Sequence, residues 1–134
     1  MRLSLSVLLV SLALPVLASA QAKAPVAQSD IDAFADILKK FDHAIATGSA
    51  LGVAEAATAS GTLNQKHCRI LNWDRLCRLA ENVGALGVSC SHSGTAAAFL
   101  WDPSDENLAA RVAEATAELQ QLNTTHIHEF RPNY

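Results

Sequence analysis

Apolar positions recur three and four apart along much of this chain. Ile31, Phe34, Leu38, Phe41 and Ile45 form one such stripe, the period of an α-helix with a single apolar face. Ser29-Asp30-Ile31-Asp32 has the form of a capping box at its start, and Gly48 supplies a stop. Ser49 to Ala59 is almost all Ala, Val and Leu, which predicts a second and more buried helix. Gly61 to Leu71 reads as a loop. Asn72 then stands where it can cap a third helix, with Leu76, Leu79 or Ala80, and Val83 facing inward. A last stripe, Leu108, Val112, Ala115, Leu119 and Leu122, follows Asp102-Pro103, a cap and a first-turn proline, and Asn123 can end it. These stripes predict faces turned to the core rather than seams for a partner.

Between the third and fourth helices the pattern changes. Gly84, Gly87 and Gly94 punctuate small and β-branched residues, and Ala96 to Trp101 is a short apolar run. Together they read as strand, tight loop, strand. Thr124 to Phe130 is β-branched and aromatic enough for a final strand, closed by Arg131-Pro132. The predicted order is α-α-α-β-β-α-β. That order fits an α+β fold with helices packed on one face of a small, about three-stranded antiparallel sheet.

The N-terminus reads differently. Arg2 supplies a positive charge, Leu3 to Leu17 is apolar apart from three serines and Pro15, and Ala18-Ser19-Ala20 follows. This is the form of a secretory leader. At about 15 residues the run is shorter than the roughly 20 needed to span a bilayer, so no stable membrane anchor is expected. The organisation implied is a signal-like segment over 1–20, a linker over 21–29 and one domain over 30–134. A secreted or periplasmic location follows, or a cytoplasmic one if the start or the leader is fortuitous. Without residues 1–20 the net charge moves from −3 to −4, because Arg2 is lost. A mildly acidic small domain is not a general nucleic-acid binder. Cys68, Cys77 and Cys90 are an odd set with no metal-site spacing, which suits a reducing compartment better than an exported one.

The candidate chemistry gathers at one turn. Ser91, His92, Ser93, Gly94 and Thr95 place hydroxyls and an imidazole on a glycine-bearing loop, where backbone N–H groups can cradle an anion. Lys66, Arg69, Arg75 and Arg78 give a local positive excess able to steer an anion. They also fit a solvated loop and helix face. His126 and His128 share a face if their segment is a strand, and with His92 they form a conceivable metal set, although plain polar positions suit them better. Cys90 beside His92 has the outline of a nucleophile and base, while a buried structural thiol is the simpler expectation.

The order of these motifs carries a resemblance. Asn64-Gln65, then Gly84-Ala85-Leu86-Gly87-Val88, then His92-Ser93-Gly94-Thr95 with an apolar strand behind it, resembles the C-terminal half of a GHMP-superfamily small-molecule kinase. The subgroup it resembles is the L-threonine kinase type linked to cobalamin biosynthesis. In that type a Leu-Asn-Gln after an Ala-rich helix precedes a Gly-x-x-Gly-Val and a His-Ser-Gly-Thr; here Ala56-Ala57-Thr58, Ser60 and Leu63-Asn64-Gln65 stand in that order. The resemblance implies that Ser91, His92, Ser93, Gly94 and Thr95 face substrate and nucleotide phosphates, with Asn64, Gln65, Gly84 and Gly87 in support. It assigns no catalytic residue and no metal ligand to this chain.

The departures matter as much. The family's ATP-binding half, with its Pro-x-x-x-Gly-Leu-x-Ser-Ser-type phosphate loop, has no counterpart here, and the strand that precedes the first helix in the family is replaced by the linker. The expectation is therefore a partial small-molecule kinase, inactive alone and without cofactor of its own. ATP and Mg²⁺ would bind once a complementary half is present. The alternative is an exported domain binding a small anionic ligand, or a non-enzymatic remnant. An unprotected sheet edge would favour self-association.

Overall fold

The computed structural model describes residues 6–11, 25–91, 93–122, 124 and 126–130, the first of these as backbone only. Among them four strands, β1 (Ser6–Ser11), β2 (Gly87–Cys90), β3 (Ala96–Trp101) and β4 (His126–Phe130), form one antiparallel sheet in the order β2-β3-β1-β4. Four helices, α1 (Gln28–Thr47), α2 (Ala50–Asn64), α3 (Trp73–Asn82) and α4 (Leu108–Gln120), complete the expected α+β fold. With α1 to α3 in the first crossover and α4 in the second, the topology is that of a split β-α-β, ferredoxin-like sheet.

The sheet has one strand more than the hydrophobic pattern predicts. The addition is β1, drawn from the run read as leader and set at the centre of the sheet. Its backbone pairs Ser6 with Trp101 through Ser11 with Ala96 on one side. On the other it pairs Val7 with Phe130 through Ser11 with His126. A short apolar run bounded by small residues is compatible with a buried strand as well as with a leader core, and periodicity alone cannot choose between them. The strand before the first helix is therefore present, and the linker has not replaced it. The remainder of residues 1–20 lies outside the described residues.

The core is built by α3, α4 and two strands. Trp73, Leu76, Ala80 and Val83 pack with Val88 of β2, Ala97, Phe99 and Trp101 of β3, and Ala115 and Leu119 of α4. Leu76, Phe99 and Leu119 are wholly buried, and each such side chain stabilises the fold by roughly 1.5–3 kcal/mol over leaving it in water. The Phe99 and Trp101 rings sit 6.4 Å apart at 56°, a tilted pair.

The second helix closes one edge of the sheet. Thr58 Oγ1 donates to the Ala54 carbonyl at 2.9 Å and accepts the outward-facing N–H of Val88 at 2.8 Å. A strand edge that would otherwise offer free N–H groups is thereby occupied. Gly87 is what lets the strand come so close. A Cβ there would lie 2.5 Å from the Ala54 oxygen and 2.6 Å from Thr58 Oγ1.

The first helix departs most from expectation. Its inward face carries Asp30 and Ala44, buried, with Ala33 and Ile37 half-buried, and it packs on α2 rather than on the sheet. The helices approach closely at Ala44, whose Cβ would stand 2.8 Å from a Cβ built on Gly52. The bulky stripe lies about 100° round the helix, one residue further on, and is exposed. Ile31 is 48%, Leu38 58%, Phe41 38% and Ile45 48% accessible, with Phe34 intermediate. This stripe is not the core face that its period predicts. Small residues let α1 sit close to α2, and that closeness turns the larger side chains outward.

Helix ends also shift. The capping box does not form: Ala27 is the cap of α1, and no side chain caps it. Gly48 does stop the helix, at φ +66°, with its N–H on the Ala44 and Ile45 carbonyls. The second helix runs on to Asn64, through Gly61, and Ser49 Oγ caps it by accepting from Gly52 N–H at 3.0 Å. Asn72 adopts φ +62° and precedes α3 without a side-chain cap bond. Asp102 does not open α4; its carboxylate takes the Ser104 N–H at 2.8 Å and hydroxyl at 2.6 Å, closing a local turn. The helix begins six residues on, at Leu108. Among the described residues no helix is long and apolar enough to cross a membrane.

Candidate functional site

The turn between β2 and β3 holds itself together through its serines. Ser91 N–H donates to the Ala96 carbonyl at 2.9 Å, and Ala96 N–H donates back to Ser91 Oγ at 3.1 Å. Gly94 N–H closes the turn on the Ser91 carbonyl at 3.1 Å. Ser93 Oγ lies 3.2 Å from Ser91 Oγ and 2.7 Å from Thr95 Oγ1. The result is a row of three hydroxyls, with Ser93 exposed at its middle. Each hydroxyl can donate or accept, so the row can redirect its protons toward an anion. His92 lies outside the described residues.

Gly94 fixes where this turn rests. It is buried at φ +70°, and a Cβ there would lie 2.9 Å from Cys68 Sγ and 3.4 Å from the Arg69 carbonyl oxygen. The turn is thus seated on the loop that follows α2. Gln65 shapes that loop: its Nε2 donates to the Gly61 carbonyl at 2.8 Å, and its Oε1 accepts the Ile70 N–H at 2.7 Å. The Asn64 carbonyl takes the N–H groups of His67 at 2.9 Å and Cys68 at 2.8 Å, and its side chain bonds Cys90. Asn64 and Gln65 therefore shape the loop beneath the turn and are engaged there in local bonds. Gly87 serves the α2 contact described above, and Gly84, at φ +76°, backs onto the Arg111 guanidinium.

The basic residues divide into two groups. Lys66 Nζ bonds Asp30 Oδ1 at 2.7 Å, and His67 Nε2 lies 3.3 Å from Asp30 Oδ2. The Lys66 hydrogen bond is the largest influence holding the Asp30 carboxyl below its usual range; burial opposes it, and the charge of Lys66 and contact with His67 assist. Arg69, Arg75 and Arg78 instead line a polar hollow of about 370 Å³ with Gln65, Asn72 and Asp74. Arg69 belongs to both the hollow and the loop under Gly94. The turn and the hollow share only Arg69, whose backbone carbonyl lies under Gly94 while its side chain belongs to the hollow. An anion with planar oxygens, a carboxylate or a phosphate, suits such guanidiniums.

The other candidates take simpler roles. Burial raises the Cys90 thiol pKa, helped by the neighbouring Cys68, and the Asn64 hydrogen bond only partly offsets it. Cys77 is pushed up to about 11, by burial first and then by Asp74 and Glu81. A nucleophilic cysteine needs the opposite shift, so Cys90 fits the structural reading. His126 and His128 stack on the exposed face of β4 with ring centroids 6.2 Å apart. Among the described residues no three His, Cys, Asp or Glu side chains come together as metal ligands.

Asp30 was not among the residues singled out for chemistry. The signal for it was present: a lone carboxylate on a helix face otherwise made of Ala33, Ile37 and Ala44. Such a charge needs a partner from elsewhere in the chain, and Lys66 is that partner.

Among solved structures, a homoserine kinase from Cytophaga hutchinsonii ATCC 33406 matches with a TM-score of 0.60 and 17% identity. The match covers 96% of this chain but 41% of that one. The shared feature is the fold, here four helices and a small antiparallel sheet. No family model and no curated protein matches the chain.

Proposed function

We propose that this chain is one part of a small-molecule kinase whose phosphoryl acceptor is a hydroxyl-bearing amino acid, L-threonine in the first instance. It acts only with a second segment that brings the ATP site. The observation carrying this reading is the fold match itself, nearly complete on this chain and well under half of the homoserine kinase. The motif resemblance narrows the acceptor to the L-threonine type, and a link to cobalamin biosynthesis stands or falls with that narrowing.

Phosphoryl transfer depends on positioning and on neutralising charge from several sides at once. The Ser91–Thr95 turn and the Arg69, Arg75 and Arg78 hollow supply one side. They suit the carboxylate of an amino acid or the oxygens of a phosphate. Mg²⁺ would arrive with the nucleotide and the complementary segment, because such an ion is held largely by phosphate oxygens and water.

The test is ADP release in the presence of L-threonine, with the chain alone and with an ATP-binding segment encoded beside it. No turnover alone and threonine-dependent turnover on mixing is the expected result. Turnover by the chain alone, or none from the mixture, overturns the reading.

The leader-like start favours a second reading, an exported domain that binds a small anion without ATP. It carries a structural consequence. Cleavage after Ala20 would remove β1 and leave β3 and β4 with unpaired edges at the middle of the sheet. Intact mass in separated cell fractions decides: a secreted or periplasmic species lighter by residues 1–20 supports this reading, and a full-length cytoplasmic species refutes it.

A further inference from the structure

We infer that the exposed stripe of α1 is a self-recognition surface on which two copies of this chain pair antiparallel about a two-fold axis through Leu38. The inference goes beyond the kinase reading and asks nothing of catalysis.

The stripe is a palindrome. Ile31, Phe34, Leu38, Phe41 and Ile45 read Ile-Phe-Leu-Phe-Ile in both directions, alternating three and four residues apart. That spacing averages 3.5 residues, the repeat of a left-handed helix–helix seam. When a second α1 lies antiparallel with Leu38 on Leu38, Ile31 of each copy meets Ile45 of the other. Phe34 and Phe41 then fall opposite each other within one residue. A two-fold interface requires this kind of self-complementarity, in which each patch is its own partner.

Charge permits the same arrangement. On a helical projection Asp32, Asp36, Lys39, Lys40 and His43 lie on the far side of α1 from the stripe. The Lys39–Asp36 pair, at 3.1 Å, is fully out in solvent there. Asp42 flanks the stripe, and antiparallel pairing sets it level with Phe34 of the other copy, so no like charges meet. Asp30 flanks it on the α2 side and is already neutralised by Lys66.

The area sets the strength. A half-exposed large side chain leaves on the order of 100 Å² uncovered, and Ile31, Leu38, Phe41 and Ile45 are each 38–58% accessible. The total is on the order of 500 Å² per copy, or about 1,000 Å² for the pair, the low end for specific interfaces. A weak dimer that grows with concentration is the form this surface can support. The stripe is wide enough for one helix, and it is left open because α1 packs on α2 through a different face.

The test is light scattering on the full chain from low-micromolar to sub-millimolar concentration. The expected mass rises from 14.2 kDa toward twice that value. Leu38→Asp abolishes the rise while leaving the circular dichroism and melting temperature unchanged, because Leu38 is 58% accessible on the outer face of α1. Orientation is read by cysteine cross-linking over the wild-type background. Leu38→Cys forms a disulfide with its own copy, and Ile31→Cys mixed with Ile45→Cys cross-links faster than either variant alone. A chain that stays monomeric, a larger species that survives Leu38→Asp, or Ile31→Cys pairing best with itself each overturns the proposal. None of these outcomes bears on whether an ATP-binding segment restores kinase turnover.

Discussion

Two helices of this protein carry the same kind of apolar stripe and end in opposite places. The α3 stripe, Leu76, Ala80 and Val83, is at most 2% accessible, sealed between β2, β3 and α4. The α1 stripe is longer and bulkier, yet four of its five members, Ile31, Leu38, Phe41 and Ile45, are 38–58% accessible. Periodicity shows that a helix has an apolar face; the neighbours decide whether that face is covered. The third helix enters from a tight loop and has the sheet beneath it. Among the described residues the first helix packs chiefly on α2, through the small face that carries Ala33 and Ala44, so its large residues are left over.

The strongest test of that contrast is truncation on each stripe. Leu76→Ala leaves a cavity in the core and is expected to cost about 2–5 kcal/mol. Leu38→Ala, measured at low concentration where the chain is monomeric, is expected to change stability by less than about 0.5 kcal/mol. Urea midpoints with unchanged slopes are the measurement. Equal costs at the two sites would mean that α1 is covered within the monomer, and the contrast would collapse.

The α2 edge contact tests the inner side of the same arrangement at smaller cost. Gly87→Ala forces a methyl group against the Ala54 carbonyl and the Thr58 hydroxyl, and overpacking of this kind is expected to cost about 1–3 kcal/mol. Thr58→Val keeps the shape of the side chain but strips the Val88 N–H of its acceptor. A buried donor left unpaired is expected to cost about 1–2 kcal/mol. If Gly87→Ala is neutral, the edge of β2 is looser than its contact with α2 indicates.

Much of this fold was legible because local patterns and tertiary partners agreed. The α3 and α4 stripes, the hairpin of β2 and β3, and the β4 strand all follow from spacing and turn residues. Three elements did not follow, each for a physical reason. Ser6–Ser11 is apolar enough for a leader core and for a strand, and only pairing with β3 and β4 distinguishes them. Asp102 looked like a helix cap but satisfies itself on Ser104, so α4 starts later. The α1 stripe had the right period and no cover. In the candidate site, the serine turn and its neighbours were legible from Gly94 and the hydroxyls around it. The division of the basic residues was not, because Lys66 is claimed by a carboxylate 36 positions away in sequence.

That last contact gives the finest test of how α1 is held. Asp30 and Lys66 tie the first turn of α1 to the loop after α2, independently of the core that fixes α3. The hydrogen bond from Lys66 lowers the Asp30 pKa from the ordinary 3.8. A carboxyl with a depressed folded-state pKa stabilises the fold fully above its unfolded value and loses that contribution as pH falls through the folded value. Above about pH 5 the tie is therefore intact, and it weakens progressively below about pH 4. Amide exchange, corrected for the intrinsic chemical rate, should report this selectively. As pH drops through that window, the first-turn amides of α1 should lose protection before those of α3. Asp30→Asn should show the weaker α1 protection at neutral pH already, with little further change on acidification. If α1 and α3 lose protection together in the wild type, the outer helix is not held separately from the core.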